Sequence, residues 1–164
     1  MCRSIVLLVP VVLALMVSSV DAQVIGSGNA SGTDKLRVKG CGKGKAPAIL
    51  NFTLFSDGTW VAVDEEGINL SGSHTAVSDK KFDLAFDASS ETVFVGVLAS
   101  AASEICQQSV SVTSALRKKF FLKRNKKRTK AKVRVKYSFT GTAAGESGTA
   151  KYILKAGGPY FELQ

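Results

Sequence analysis

The chain has 164 residues and a formal net charge of +9, and it contains one His and three Cys. This length suits one domain with a hydrophobic core and is short for two. A zinc site needs several His or Cys ligands, and nucleophilic catalysis usually needs a His beside the nucleophile. His74 lies in a stretch typical of a turn or edge strand, and most carboxylates fall in predicted turns or on outward-facing positions. We therefore expect no enzyme activity, metal site or cofactor.

Residues 1–22 have the pattern of a secretory signal peptide. Arg3 precedes the apolar run Ile5 to Val17, and Val20-Asp21-Ala22 supplies a small-residue cleavage site. The apolar run is short compared with the roughly 20 residues of a membrane-spanning helix, although an uncleaved anchor is the alternative. The sequence therefore predicts cleavage after Ala22 and a secreted or periplasmic protein.

Residues 23–34, QVIGSGNASGTD, contain mostly Gly, Ser, Asn and Thr. Such a composition predicts a flexible leader, followed by a single domain over residues 35–164. Asn29, Asn51 and Asn69 each begin an N-glycosylation sequon, which matters only in a eukaryotic secretory pathway.

From Lys35 onward, apolar residues recur at every second position. The clearest runs contain Leu36 and Val38, Leu50 to Leu54, Phe82 to Phe86, and Val93 to Val97. Turn residues such as Asp57-Gly58 and Glu66-Gly67 separate these runs. The pattern predicts an all-β protein, either an antiparallel up-and-down barrel or a sandwich, with about eight or nine strands.

The stretch FSDGTWVAV gives the strongest hairpin signal. Asp57-Gly58 fits a two-residue type I′ turn, and Trp60 should then pack against Phe52 or Leu54 on the neighbouring strand. Gly58-Thr59-Trp60 also resembles the G-x-W triplet of the lipocalins, which are calycin-type β-barrels. That resemblance implies an eight-stranded barrel that carries a small apolar ligand.

Residues 98–108 interrupt the alternation and are rich in helix-forming residues, so they predict one short helix. After cleavage, Cys41 and Cys106 are the two remaining cysteines. An even number of cysteines in an oxidising compartment predicts that these two form a disulfide.

Residues 117–136 hold twelve Lys or Arg and no Asp or Glu. Since twelve exceeds the net charge of +9, acidic residues outnumber basic ones in the rest of the chain. Cations alternate with apolar residues from Lys130 to Phe139, which predicts a β-hairpin with a basic outer face and a turn at residues 125–127. The candidate polyanion-binding residues are Lys123, Arg124, Lys126, Lys127, Arg128, Lys130, Lys132, Arg134 and Lys136.

Three functions are compatible with these features. The first is an exported, non-catalytic β-barrel protein that is monomeric and has a structural role. The second is a binding module whose basic hairpin contacts a polyanion or an anionic membrane surface. The third is a lipocalin-like carrier of a small apolar ligand. In the first case, the lysines only prevent an edge hairpin from pairing with other chains.

Overall fold

A computed structural model describes residues 21–163, so residues 1–20 of the predicted signal peptide lie outside the described residues. The described chain forms a closed, eight-stranded antiparallel barrel in which each strand pairs with the next and β8 pairs with β1. This confirms the all-β barrel and excludes the sandwich. The elements are β1 (Val24–Val38), β2 (Gly42–Phe55), β3 (Thr59–Asp64), β4 (Asn69–Ser78), β5 (Lys81–Phe86), α1 (Ala88–Cys106), β6 (Val110–Arg124), β7 (Lys130–Ala143) and β8 (Glu146–Glu162).

The barrel has two distinct ends. At one end, which we call the helix end, lie the β1–β2, β3–β4 and β7–β8 turns together with α1. The β2–β3, β4–β5 and β6–β7 turns lie at the other end, which we call the hairpin end. Every second residue along the strands faces inward, and these side chains fill the space between the two ends. Leu54, Leu122 and Tyr137 are almost completely buried. Between residues 21 and 163, no helix is both long and apolar enough to cross a lipid bilayer.

The prediction of a flexible leader at residues 23–34 is wrong, because Val24 to Asp34 form the first part of β1. This segment pairs with β2 on one side and with β8 on the other. A Cβ atom on Gly26 would lie 2.0 Å from the hydroxyl oxygen of Tyr160, and one on Gly32 would lie 2.0 Å from the carbonyl oxygen of Lys155. The segment lacks large side chains because neighbouring strands approach it closely.

The predicted helix is longer than expected, and the predicted strand at residues 93–97 is wrong. α1 begins at Ala88, includes residues 93–97 and ends at Cys106. Phe94, Leu98 and Ala102 follow one another at intervals of four, and all three pack against the barrel core. The alternating valines therefore belong to a helix, and Val93 and Val97 are each 42% exposed.

Asp87 caps the N-terminus of α1. Its Oδ1 accepts a hydrogen bond from the Ser90 backbone N–H at 2.7 Å, and its Oδ2 accepts one from the Ser71 hydroxyl on β4. These bonds satisfy a free helical N–H group and join the helix to the barrel wall. Because the cap lies at the start of the valine run, it favours a helix where alternation alone favours a strand.

We expect Asp87→Asn to lower the unfolding temperature, with the largest effect near neutral pH. The Ser71 hydroxyl and then the Ser90 N–H lower the pKa of the Asp87 carboxyl below its usual 3.8. A carboxyl whose pKa is lower in the folded state stabilises that state above the unfolded pKa, and this contribution is lost as the pH falls through the folded pKa. Asn keeps the capping oxygen and removes only the charge. The unfolding temperatures of the two proteins should therefore differ at neutral pH and converge in acid, where Asp87 is protonated. An equal difference at both pH values would contradict a role for the charge.

The β2–β3 hairpin forms where predicted, but its turn is not type I′. The Gly58 N–H donates to the Phe55 carbonyl at 3.2 Å, and Gly58 has a φ of +84° whereas Asp57 does not have a positive φ. The loop therefore has three residues, Ser56 to Gly58, with glycine alone in the left-handed conformation. Leu54 lies opposite Trp60, as the sequence predicts.

The predicted disulfide between Cys41 and Cys106 is present. It links the β1–β2 turn to the last residue of α1, across 65 positions of the sequence. The bond therefore holds the C-terminal end of α1 at the helix end of the barrel.

A candidate anion-binding face

The predicted basic hairpin consists of β6, β7 and the turn at residues 125–129. Inward positions of β7 are apolar and buried, whereas Lys130, Lys132 and Arg134 point outward and are exposed. Lys136 is outward and half-buried. The side-chain oxygen of Asn125 accepts hydrogen bonds from the N–H groups of Thr129 and Lys130, at 2.9 and 3.1 Å, and shapes the turn. On β7, cations on the outer side therefore alternate with buried apolar residues on the inner side.

Pairing between the strands places cations of other strands beside those of β7. Lys132 lies opposite Lys123 of β6, and Arg134 lies opposite Lys155 of β8. Farther toward the helix end, Lys119 of β6 lies opposite Lys136. The positive surface thus continues from the hairpin onto β8.

The closure of the barrel extends this surface onto β1 and β2. Arg37 of β1 lies between Lys151 of β8 and Lys43 of β2, and Lys35 lies opposite Lys45. All five side chains belong to exposed residues. We call the whole set the basic face: Lys35, Arg37, Lys43, Lys45, Lys119, Lys123, Lys130, Lys132, Arg134, Lys136, Lys151 and Lys155.

The basic face carries no compensating acidic groups. Among residues 21–163, none of its cations lies within ion-pair distance of a carboxylate. The carboxylates of these strands occupy inward positions, as Asp34 does beside the buried Leu36, or lie near the strand ends, as Glu146 and Glu162 do. Like charges directly opposite each other destabilise a sheet, so the arrangement costs stability.

A polar notch of about 320 Å³ borders the basic face where β5 and β6 separate. The two strands pair only at residues 81–83 and 121–123, and a bulge follows between Arg117 and Lys119. The Arg117 guanidinium donates to the Leu84 carbonyl across the gap. The notch is lined by Lys81, Asp83, Arg117, Lys118, Lys119, Phe120 and Phe121. It offers a concave position for one anionic group beside the flatter face.

Arg124, which the sequence analysis assigned to the outer basic patch, points into the barrel. Phe120, Leu122 and Arg124 share the inward side of β6, and Arg124 is only 7% exposed. Its Nη1 lies 2.9 Å from the Glu162 carboxylate, and its guanidinium stacks over the Phe82 and Tyr160 rings. Arg124 also donates to the Asp79 carbonyl in the β4–β5 turn. It closes the hairpin end of the barrel and cannot contact a polyanion.

The three remaining candidates lie in the β6–β7 turn, at the edge of the basic face. Lys126 and Lys127 are exposed there. Arg128 has a φ of +55°, and its guanidinium is paired with Glu162 at 3.0 Å. The turn is therefore an extension of the face rather than its centre.

The cations of β1, β2 and β8 and those of the β5–β6 notch were not among the binding residues predicted from the sequence. Alternation does show that Lys35 and Arg37 flank the inward Leu36, and that Lys151 and Lys155 flank the inward Tyr152 and Leu154. It does not show which strands are neighbours. That information comes from the pairing of β1 with β8.

The single His and two of the sequon asparagines make contacts within the barrel wall. His74 lies on β4, with its Nε2 2.8 Å from the Phe55 carbonyl oxygen and its ring edge against Phe82. Within residues 21–163, no three His, Cys, Asp or Glu side chains are grouped closely enough to hold a metal ion. Asn29 and Asn51, which begin two of the sequons, face each other across β1 and β2 and share a hydrogen bond of 2.6 Å.

The barrel interior is mostly occupied by side chains. Only about 10 Å³ remains free around Phe52, Leu54 and Leu122, in the middle of the barrel. Two larger openings, of about 210 and 190 Å³, lie at the helix end beside α1. Both are below the range of about 300–1,000 Å³ that is usual for drug-sized ligands.

No protein-family model, curated protein or solved structure matches this chain.

Proposed function

We propose that the protein is an extracytoplasmic, non-catalytic binding module that attaches to acidic polysaccharides through its basic face. One observation carries the proposal. Along five adjacent strands, cations lie opposite cations, as in the pairs Lys123–Lys132, Arg134–Lys155 and Lys35–Lys45, without carboxylates between them. In the folded protein, protection of a sheet edge does not require this arrangement, because these strands are paired on both sides in a closed barrel.

The spacing of the cations suits a chain of regularly repeated negative charges. Outward residues on one strand are about 6.7 Å apart, and neighbouring strands are about 4.8 Å apart. Binding would release the counterions of the polyanion, so affinity should fall steeply as salt concentration rises. The face curves around the barrel, so a flexible polysaccharide can follow it, whereas a flat bilayer would reach only part of it.

The localisation in this proposal is supported by the signal-peptide pattern of residues 1–22 and by the Cys41–Cys106 disulfide, which is compatible with an oxidising compartment. Sulfated and carboxylated polysaccharides occur in such compartments, and heparin is a suitable laboratory probe of the class.

We expect Lys130→Glu, Lys132→Glu, Arg134→Glu and Lys136→Glu, combined in one variant, to weaken heparin binding by at least about 100-fold. Each lost contact should also reduce the slope of log affinity against log salt by roughly 1. Titration calorimetry at several salt concentrations measures both quantities. Three of the new carboxylates would lie opposite Lys123, Lys155 and Lys119, so the variant should be at least as stable as the parent.

The matched control changes the same amount of charge in turns outside the twelve residues of the basic face, with two of the four positions in the β6–β7 turn at its edge. Lys39, Lys80, Lys126 and Lys127 are exposed turn residues, and their combined replacement by Glu should weaken binding by less than about 10-fold. Equal losses in both variants would mean that net charge alone governs binding and would contradict the proposal. Stronger binding to anionic vesicles than to heparin would favour a membrane surface instead.

A further inference from the structure

The opening of about 190 Å³ beside α1 is a cleft that leads from the surface toward the barrel core. It lies between α1 and the wall formed by β2, β3 and β4. Leu50, Leu70 and Phe94 line it, and at its mouth Val93 and Val97 are 42% exposed and Ile49 is 38% exposed. An apolar surface that stays accessible on an otherwise polar protein often marks a binding site.

Aromatic rings form much of the cleft wall. Trp60 and Phe86 lie 5.6 Å apart between ring centroids, and Phe86 and Phe94 lie 4.9 Å apart. Phe94 in turn meets the Tyr152 ring edge-on at 5.3 Å. The face of an aromatic ring attracts cations as well as apolar groups.

The charged groups of the cleft are all acidic. Asp34 lines it from β1, Asp64 lines it from the end of β3, and Glu65 and Glu66 line it from the β3–β4 turn. Among the lining residues there is no Lys, Arg or His, although the chain as a whole carries an excess of +9. The cleft and the basic face thus have opposite charge and would attract ligands of opposite charge.

Asp34 has capacity for a further hydrogen bond. Its Oδ1 accepts from the Ala46 N–H at 3.1 Å, and its Oδ2 lies 3.4 Å from the Tyr152 hydroxyl. Each carboxylate oxygen can accept two hydrogen bonds. Burial and the nearby charge of Asp34 raise the pKa of Tyr152, so the phenol stays protonated and donates.

We propose that this cleft binds a small organic ammonium ion with an aromatic or branched apolar body. The ammonium group contacts the Asp34 carboxylate, and the body lies against Trp60, Phe94 and the valines of α1. A cavity of about 150 Å³ is sufficient for benzene, so this one accommodates a single ring with a short amine chain. The proposal is independent of the basic face.

Three probes that share one apolar body test the charge preference: 2-phenylethylammonium, 2-phenylethanol and 3-phenylpropanoate. Trp60 is the only Trp of the chain and lines the cleft, so its fluorescence reports occupancy directly. We expect saturable binding of the ammonium ion, at least about 10-fold tighter than that of the alcohol, and no binding of the carboxylate.

Two variants locate the site. Asp34→Asn keeps the acceptor for Ala46 and should remove most of the preference for the ammonium ion while leaving alcohol binding unchanged. Val93→Lys adds a cation at the mouth and should weaken ammonium binding by at least about 10-fold. The control is Val77→Lys, because Val77 is 54% exposed on β4 and does not line the cleft.

Several outcomes would overturn the proposal. They are the absence of saturable binding, equal binding of the three probes, and equal effects of Val93→Lys and Val77→Lys. Retained ammonium preference in Asp34→Asn would refute the assignment of Asp34. Thermal unfolding of each variant without probe shows whether a loss of binding comes from a loss of fold.

Discussion

Replacement of Arg124 by Met should lower the free energy of unfolding by about 3 kcal/mol. Removal of one member of a buried ion pair typically costs about 3–5 kcal/mol because the other charge is left uncompensated. Glu162 is 25% exposed at its side chain and keeps Arg128 as a partner, so we expect the lower end of this range. The variant also loses the bond to the Asp79 carbonyl and the contacts with the Phe82 and Tyr160 rings.

Denaturant unfolding of Arg124→Met and Lys123→Met provides a matched comparison. Lys123 is the next residue on the same strand, but it is exposed and belongs to the basic face. We expect Lys123→Met to change stability by less than about 0.5 kcal/mol. Heparin affinity should respond in the opposite way, with a loss in Lys123→Met and little change in folded Arg124→Met. Equal stability of the two variants would show that Arg124 does not close the hairpin end.

Loss of the Cys41–Cys106 disulfide should destabilise the protein by about 4 kcal/mol. The bond spans 65 positions, and the chain-entropy model assigns roughly this value to a loop of that length. We expect the Cys41→Ser, Cys106→Ser double variant to unfold at a lower denaturant concentration. The C-terminal end of α1 should separate first, because the bond fixes it to the β1–β2 turn.

Reductant supplies the control for this second experiment. The reduced parent protein should match the double variant, and the double variant should be unaffected by reductant. Hydrogen exchange then shows whether amides near Ala102 and Ile105 lose protection before those of β7 and β8. Unchanged stability after both treatments would contradict the stabilising role of the bond.

The alternation of apolar residues was sufficient to predict an all-β antiparallel fold and the β6–β7 hairpin, but it did not distinguish a barrel from a sandwich. The same alternation indicates that Arg124 points inward, because it follows the inward Phe120 and Leu122 at intervals of two. The prediction of an outward Arg124 followed the local density of charge instead. An arginine at an inward position near a strand end can be buried when a carboxylate and aromatic rings from other strands meet it. Those partners, Glu162 and Tyr160, are distant in sequence and could not be predicted.

Composition was a poor guide to β1. Gly26, Gly28 and Gly32 suggested disorder, but each occupies an inward position beside a large side chain or a close backbone of another strand. Which strand approaches depends on barrel closure, and no pattern within residues 23–34 contains that information. The length of α1 was missed although the capping contact between Asp87 and Ser90 is local, because the alternating valines at residues 93–97 favoured a strand.

The extent of the candidate site depends on the same closure. The residues of β7 were identified from sequence, whereas Lys151, Arg37 and Lys43 became neighbours only through pairing of β8, β1 and β2. The acidic cleft beside α1 was not predicted at all. Its lining comes from strands and a helix that are brought together by tertiary packing.

Barrel closure also constrains the order of folding. Gly26 pairs with Glu162, so the strands that close the barrel are the first and the last of the described chain. Pairings between residues so distant in sequence form slowly. Before β8 pairs with β1 and β7, these two strands are the unpaired edges of an open sheet, and such edges promote aggregation. Lys35 and Arg37 on β1, and Lys132 and Arg134 on β7, place repelling charges along both edges, so we expect these cations to disfavour aggregation before the barrel closes.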